Sequence, residues 1–105
     1  RHAVTLSPID FFACAQTLLS NQGILSIIIP CSEKQTFCQQ ALYTNLHIIK
    51  EIEISPYYET PPNRIILQFS KTWKSVQRTH IAIRNKDKTY SKEYKELTEK
   101  FISIN

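Results

Sequence analysis

The sequence predicts an α/β fold, and three observations indicate it. Its 105 residues suit one domain, and 42% apolar with 21% charged residues is the composition of an ordinary globular chain. Helical and strand patterns alternate along the first half. The run at 24–29 is β-branched and lacks polar alternation, which is typical of a strand covered on both faces in a parallel sheet. No linker or repeat divides the chain.

A helix is predicted to begin after Ser7. Ser7 suits the N-cap and Pro8 the first helical position, and Asp10 places a carboxylate beside the free amides of the first turn. Gly23 is expected to end the helix. Apolar residues recur at three- and four-residue spacing and predict its inner face: Phe11, Phe12, Ala15, Leu18 and Leu19.

A second helix is predicted after the strand that Pro30 closes. Ser32 is expected to cap it, with Gln35 completing a capping box. Its predicted inner face consists of Phe37, Cys38, Ala41, Leu42 and Leu46.

Three strands and a last helix are predicted in the second half. Residues 47–54 and 64–70 read as strands that run antiparallel to each other, and 79–84 as a strand at the sheet edge. The proline-rich segment 55–63 between the first two is predicted to be an exposed loop. Ser91 is expected to open the final helix, in which Tyr94, Leu97 and Phe101 share a face.

Two absences restrict the function. The chain contains one glycine, Gly23, so glycine-rich phosphate or nucleotide loops are excluded. It contains no methionine and begins at Arg1, so we expect it to be a piece of a longer protein.

Candidate reactive groups are sparse. The three cysteines lack metal-ligand spacing, and the histidines (His2, His47 and His80) form no recognisable pattern with them. Cys14 and Cys38 are predicted to be small core residues. Cys31 follows a strand end, where ligands often bind, but a structural or incidental role is the expected one. The odd number of scattered cysteines favours a reducing cytoplasm, and no apolar run is long enough to span a membrane.

Two carboxylates and one proline motif have ordinary interpretations. Glu51 and Glu53 are two residues apart on a strand and are predicted to form a solvated face rather than an acid–base pair. The tetrapeptide at 60–63, Thr-Pro-Pro-Asn, is unlike the Asn/Asp-Pro-Pro-aromatic motif of amine methyltransferases, because its Asn follows the prolines. No catalytic, cofactor-binding or metal-binding residue is therefore predicted in the chain.

The C-terminal third is basic and is the predicted nucleic-acid contact. Residues 1–70 hold four Lys or Arg and five Asp or Glu, whereas residues 71–105 hold nine and four. Cations neutralise phosphates and tryptophan offers a stacking face, although solvated edge residues give the same pattern. The candidates are Lys71, Trp73, Lys74, Arg78, Arg84, Lys86 and Lys88, together with His80.

Four stretches of the chain resemble one enzyme family. They are the helix leading into GILSIIIP, the segment TPPNRIILQFSK, the strand HIAIRNKDKTYS and the ending YSKEYKELTEKFISIN. Their order resembles the C-terminal half of a class I S-adenosylmethionine-dependent methyltransferase. More narrowly, they are similar to the bacterial tRNA valine-1 (adenine-37) amino-methyltransferase family, over nearly the whole chain.

The resemblance implies a fold and a division of function. Residues 24–30, 47–54 and 64–70 would be the fifth, sixth and seventh strands of a Rossmann-like sheet, and residues 1–105 the C-terminal portion of one methyltransferase domain. The family's glycine-rich cofactor loop and Asn-Pro-Pro-Tyr motif precede this portion. We therefore expect S-adenosylmethionine and tRNA to be ligands of the full-length protein, with no cofactor bound by this chain alone, which would be inactive.

The missing half has a physical consequence. The strand at 24–29 would present an open edge, and exposed aliphatic side chains favour association. We therefore expect a homodimer or strand-swapped assembly of the isolated chain.

Other functions remain open from the sequence. A ribosomal RNA or protein-glutamine methyltransferase shares the same half-fold. A non-catalytic RNA-binding module would use the basic C-terminal region alone, and an interaction domain would bind no nucleic acid.

Overall fold

The computed structural model describes residues 7–102. Its elements, in chain order, are α1 (Pro8–Leu18), β1 (Ile24–Pro30), a 3-10 turn (Cys31–Glu33), α2 (Lys34–Tyr43), β2 (His47–Tyr57), β3 (Arg64–Ser70), β4 (Gln77–Arg84) and α3 (Lys92–Ile102). This is the predicted α/β order. His2 and the side chain of Phe101, for which the sequence made predictions, lie outside the described residues and side chains.

The four strands form one mixed sheet in the order β1-β3-β2-β4. Strand β3 is antiparallel to both neighbours, and β4 is parallel to β2 at the far edge. The predicted antiparallel pair of β2 with β3 and the edge position of β4 are confirmed. The parallel strands β1, β2 and β4 all start at one end of the sheet, named here the amino end, and finish at the carboxyl end.

Strand β1 corrects one prediction. Within residues 7–102 it pairs only with β3, and antiparallel, so it is an edge strand and not a strand covered on both faces in a parallel sheet. Ile24 and Ile28 are 51% and 63% exposed, whereas Ile29 is buried. The hydrophobic run therefore marks a strand whose second face has no cover in this part of the chain. The expected open edge is present.

The main core lies between the sheet and helices α1 and α2. Its central ring is Phe12, which is fully buried and makes edge-to-face contacts with Phe11, Phe37 and Phe69 at centroid distances of 5.2, 5.9 and 5.2 Å. Such geometry aligns ring edges with ring faces and adds to the gain from burial. The aromatic spacing of both helices is thus explained by this one cluster.

A smaller core lies on the other face of the sheet, under α3. Leu97 of α3 packs against its buried residues, which are Ile52, Ile54, Ile66 and Ile81. Ser91 caps α3 as predicted: its Oγ accepts a hydrogen bond from the Tyr94 amide at 3.0 Å and donates one to the carbonyl of Ala82.

The N-terminal helix is largely as predicted. The Ser7 Oγ accepts a hydrogen bond from the Asp10 amide at 3.2 Å. The predicted inner face and the predicted end of α1 are each wrong at one residue. Leu18 is 83% exposed, because it lies in the last turn beyond the packed face. The helix ends at a Leu19 C-cap rather than at Gly23, since Leu19 turns to extended backbone first.

The second helix begins later than predicted. Ser32 lies in the 3-10 turn, and α2 starts at Lys34 with no side-chain cap, because the strand runs directly into a tight turn. Leu42 is 69% exposed rather than internal. Leu46 is buried as predicted but follows the helix.

Strand β2 is longer than predicted and takes in part of the proposed loop. Residues 55–57 continue the strand, and Ser55 is fully buried. Pro56 is tolerated because β3 pairs with β2 only as far as Ile54, so that at Pro56 the strand has β4 alone as a neighbour. The loop is therefore limited to residues 58–63, and β4 starts at Gln77 rather than Thr79.

Candidate functional site

The predicted nucleic-acid contacts are divided between the two ends of the sheet. Lys71, Trp73 and Lys74 lie in the connection 71–76, at the amino end, and Arg78 follows near the start of β4. Arg84, Lys86 and Lys88 lie at the carboxyl end. Arg78 and Arg84, the nearest members of the two groups, are six residues apart on β4, or about 20 Å. The structure therefore forms two basic surfaces rather than one.

The amino-end surface is open to solvent. The Trp73 indole is 69% exposed, Lys74 is exposed and Lys71 is half-buried. The Ser70 Oγ accepts a hydrogen bond from the Thr72 amide at 3.0 Å and fixes the start of the connection. An indole in this position can stack on a planar ligand.

The carboxyl-end surface is organised around Arg84. Its guanidinium lies 4.3 Å from the centroid of the Tyr90 ring and donates to the Tyr90 hydroxyl at 3.1 Å and to the Lys88 carbonyl at 2.9 Å. Tyr90 also stacks on Tyr94 at 5.5 Å. Lys88 has a positive φ of 70°, which few side chains adopt without such support. Arg84 therefore holds the turn, while the ammonium groups of Lys86 and Lys88 stay exposed.

A charged cleft of about 310 Å³ lies on the sheet beside α2. Glu51 forms its floor at 5% exposure, so the prediction of a solvated carboxylate there is wrong, whereas Glu53 is exposed. The Lys34 Nζ lies 2.8 Å and the Arg78 Nε 3.5 Å from the Glu51 Oε1. These two cations compensate the burial of the carboxylate, as a buried charge requires. Lys34 was missed because no local pattern links it to a strand 17 residues away.

The same cleft contains His80, the histidine that was named with the predicted nucleic-acid contacts. Its Nε2 shares a hydrogen bond of 2.6 Å with the buried Ser55 Oγ. The hydrogen bond to Glu51 raises the pKa of Lys34, which keeps that amine protonated. A lysine that stays protonated is a poor general base. The cleft is therefore an ion-pair cluster that joins α2 to the sheet.

The cysteines show no activated thiolate. Burial raises the pKa of both Cys31 and Cys38, and a raised pKa lowers the reactive thiolate fraction. Cys14 is exposed rather than internal, because it lies on the solvent side of α1. Across residues 7–102, no group of three or more His, Cys, Asp or Glu side chains is placed to hold a metal ion.

Gly23 is not placed to form part of a cofactor loop. Gly23 lies just before β1, at the amino end of the sheet, and a Cβ there would come within 2.7 Å of the Leu19 Cδ1. This glycine therefore accommodates a neighbouring leucine and does not form a ligand cradle. In open α/β sheets, ligands bind at the opposite, carboxyl end.

An apolar cleft of about 350 Å³ runs between the open edge of β1 and α3. It is lined mainly by Ile27, Ile28, Ile54, Ile66, Tyr94 and Leu97. Part of this lining, such as Ile28, is exposed, which indicates a surface that another element can cover. Among residues 7–102, no helix combines the length and apolarity that crossing a bilayer requires.

The described elements form part of a Rossmann-like fold. A predicted O-methyltransferase from Agrobacterium tumefaciens superposes on the chain with a TM-score of 0.72. The sequences are 14% identical, and the match covers 88% of this chain and 45% of that one. The predicted fold class is thereby confirmed.

Sequence comparison gives a narrower similarity. The chain is 31% identical over 101 residues to the tRNA1(Val) (adenine(37)-N6)-methyltransferase of Trichodesmium erythraeum, and 31% and 28% identical to the proteins of that name from Shewanella amazonensis and Vibrio campbellii. These matches cover 96% of the chain and 42–43% of the relatives. The chain thus spans about two fifths of their length. The resemblance drawn from the sequence is confirmed, although no protein-family model matches the chain.

Proposed function

We propose that this chain is the C-terminal portion of an S-adenosylmethionine-dependent methyltransferase that methylates the exocyclic amine of adenine in tRNA. The observation that carries the proposal is the similarity, over 96% of the chain, to proteins named for that reaction. The methyltransferase fold of the sheet supports it independently.

In this proposal, residues 1–105 supply sheet, core and RNA contacts, and the cofactor and reacting groups belong to the rest of the domain. The division follows from Gly23, which is packed against Leu19, and from the ion-paired state of Glu51. The adenine nitrogen would bond to the methyl carbon as the carbon–sulfur bond of the cofactor breaks and the amine loses a proton. Positioning supplies much of such a rate enhancement. The chain alone is inactive, and the cytoplasm, where tRNA is available, is the proposed location.

The first test is the intact mass of the native protein, detected in cells of its source with an antibody to this segment. We expect a species well above 12.2 kDa that, once purified, converts adenine to N6-methyladenine in unmodified tRNA when given S-adenosylmethionine. The 105-residue chain should not do so. A native species of 12.2 kDa, or a larger one that leaves tRNA adenine unmodified, would contradict the proposal.

The alternative is a non-catalytic RNA-binding module, and the exposed Trp73 and Lys74 favour it over a plain interaction domain. This function predicts salt-dependent RNA binding by the isolated chain that is lost when Lys71, Lys74 and Arg78 are replaced by Ala. It also predicts a native protein that binds RNA without modifying it. An interaction domain predicts no RNA binding even at low salt.

We also propose that the isolated chain self-associates as a homodimer or strand-swapped assembly. The open β1 edge offers unpaired backbone groups, and the exposed Ile28 borders the apolar cleft beside it. Both features favour pairing with another chain.

A further inference from the structure

The connection 71–76 lies between two clefts of opposite chemical character. Strand β3 ends at Ser70, opposite His47, and β4 begins beside Lys50 on the other side of β2. The connection must therefore pass across the start of β2. Its side chains border one cleft on each face of the sheet.

The first cleft, of about 270 Å³, is cationic. Lys50 and Lys74 line it together with the polar side chains of Gln68, Ser75 and Gln77. Within residues 7–102 no carboxylate lines this cleft, and neither lysine forms an ion pair. Two uncompensated ammonium groups beside amide and hydroxyl donors form a site suited to a phosphate. Lys50 was not among the predicted contacts, because its proximity to Lys74 arises only from the β2–β4 pairing.

The second cleft, of about 210 Å³, is largely apolar. Trp73 lines it from the connection, and the rest of the lining is Val76, Cys38 and Leu42 of α2, and the segment 46–48. The indole and the neighbouring Leu42 are each 69% exposed. A tryptophan beside a shallow apolar cleft offers both a stacking face and a surface that excludes water from a planar ring.

A flexible polyanion that carries planar bases can pass around the amino end of the sheet and reach both clefts. We propose that the connection 71–76 binds single-stranded RNA, with one base stacked on Trp73 and a phosphate of the same strand between Lys50 and Lys74. The inference deepens the proposed function and rests on it for the choice of RNA. The cationic cleft favours this polyanion over an apolar peptide, which would leave both ammonium groups without a partner.

The single tryptophan of the chain makes the test direct, since all indole fluorescence reports on this site. A single-stranded RNA of about 12 nucleotides, within the range of known site sizes, is titrated into the 105-residue chain. We expect Trp73 fluorescence to be quenched, and a fully paired RNA duplex of the same length to quench it much less.

Variants test the contribution of each cleft to RNA binding separately. Replacing Trp73 by Ala should weaken binding about tenfold, measured by anisotropy of labelled RNA. The double variant Lys50→Gln/Lys74→Gln should weaken binding and reduce the slope of log affinity against log salt by about 0.7, the value for one phosphate contact on a single strand. The matched control, Lys92→Gln/Lys95→Gln, removes the same charge from α3 and should change neither value beyond its general electrostatic effect. Circular dichroism verifies that each variant is folded.

The inference would be overturned if RNA left Trp73 fluorescence unchanged, if duplex RNA quenched it equally, or if the control pair lowered the salt slope as much as Lys50 and Lys74. These outcomes are independent of methylation. A native protein that methylates tRNA while Trp73 stays unquenched would refute this site and leave the proposed function standing. If RNA quenched Trp73 but the native protein did not methylate tRNA, the site would stand and the proposed function would be refuted.

Discussion

At the residue scale, the buried carboxylate of Glu51 ties α2 to the sheet through Lys34. Replacing Lys34 by Met would leave Glu51 with only the more distant Arg78, at 3.5 Å, and should lower the free energy of unfolding by about 1–3 kcal/mol. We expect a loss in the lower part of that range, because the Lys34 side chain is 39% exposed and water partly screens its charge. Urea unfolding at pH 7 measures the loss, and Lys92→Met on the exposed side of α3 should stay within about 0.5 kcal/mol of wild type.

The same pair predicts a pH dependence. Because the hydrogen bond to Glu51 raises the pKa of Lys34 in the folded state, its stabilising effect is fully present below the ordinary lysine pKa of about 10.4. The effect is lost as pH rises through the raised value. The difference in unfolding free energy between wild type and Lys34→Met should therefore be constant from neutral pH to about pH 9 and shrink above about pH 10.4. A difference that grew with pH would contradict this assignment.

At the element scale, α3 depends on its cap more than α1 does. The buried Ser91 Oγ accepts from the Tyr94 amide and donates to the Ala82 carbonyl on β4, whereas Ser7 is exposed. Ser91→Ala should cost about 1–3 kcal/mol, since it removes a cap and takes a hydrogen-bond donor from the part-buried Ala82 carbonyl. Ser7→Ala should cost about 0.5–1 kcal/mol. Equal losses in urea unfolding would show that the link between α3 and β4 adds nothing.

The helices and strands also show which structural features could be predicted from the sequence. Strand β3 and the caps at Ser7 and Ser91 were predicted correctly, because each is defined by neighbouring residues. Predictions failed where distant elements decide: Glu51 is buried because Lys34 and Arg78 meet it, and residues 55–57 stay in a strand because β4 pairs with them. The composite site of Lys50 and Lys74 is of the same kind, since no spacing in the sequence brings the two lysines together.

At the scale of the whole molecule, the uncovered side of β1 should govern association. Replacing Ile28, which is 63% exposed beside the apolar cleft, by Lys adds a charge that opposes edge pairing. Light scattering over a concentration series should show dimers or larger species for wild type and mostly monomer for Ile28→Lys. Leu18→Lys, at an 83% exposed position on α1, should associate as wild type does. A wild-type chain that is monomeric at all concentrations would rule out self-association.

The separation of the two basic surfaces along β4 also determines how long an RNA must be to contact both of them. The eight residues of β4 span about 23 Å from first to last, and the two surfaces lie beyond its two ends. A short RNA can contact the surface of Trp73 or that of Lys88, whereas an RNA long enough to follow the strand can contact both. Affinity should therefore rise in a step, rather than gradually, as the RNA reaches this footprint, and the step should vanish when either surface is neutralised. The length of one strand would then set the smallest RNA that the protein engages fully.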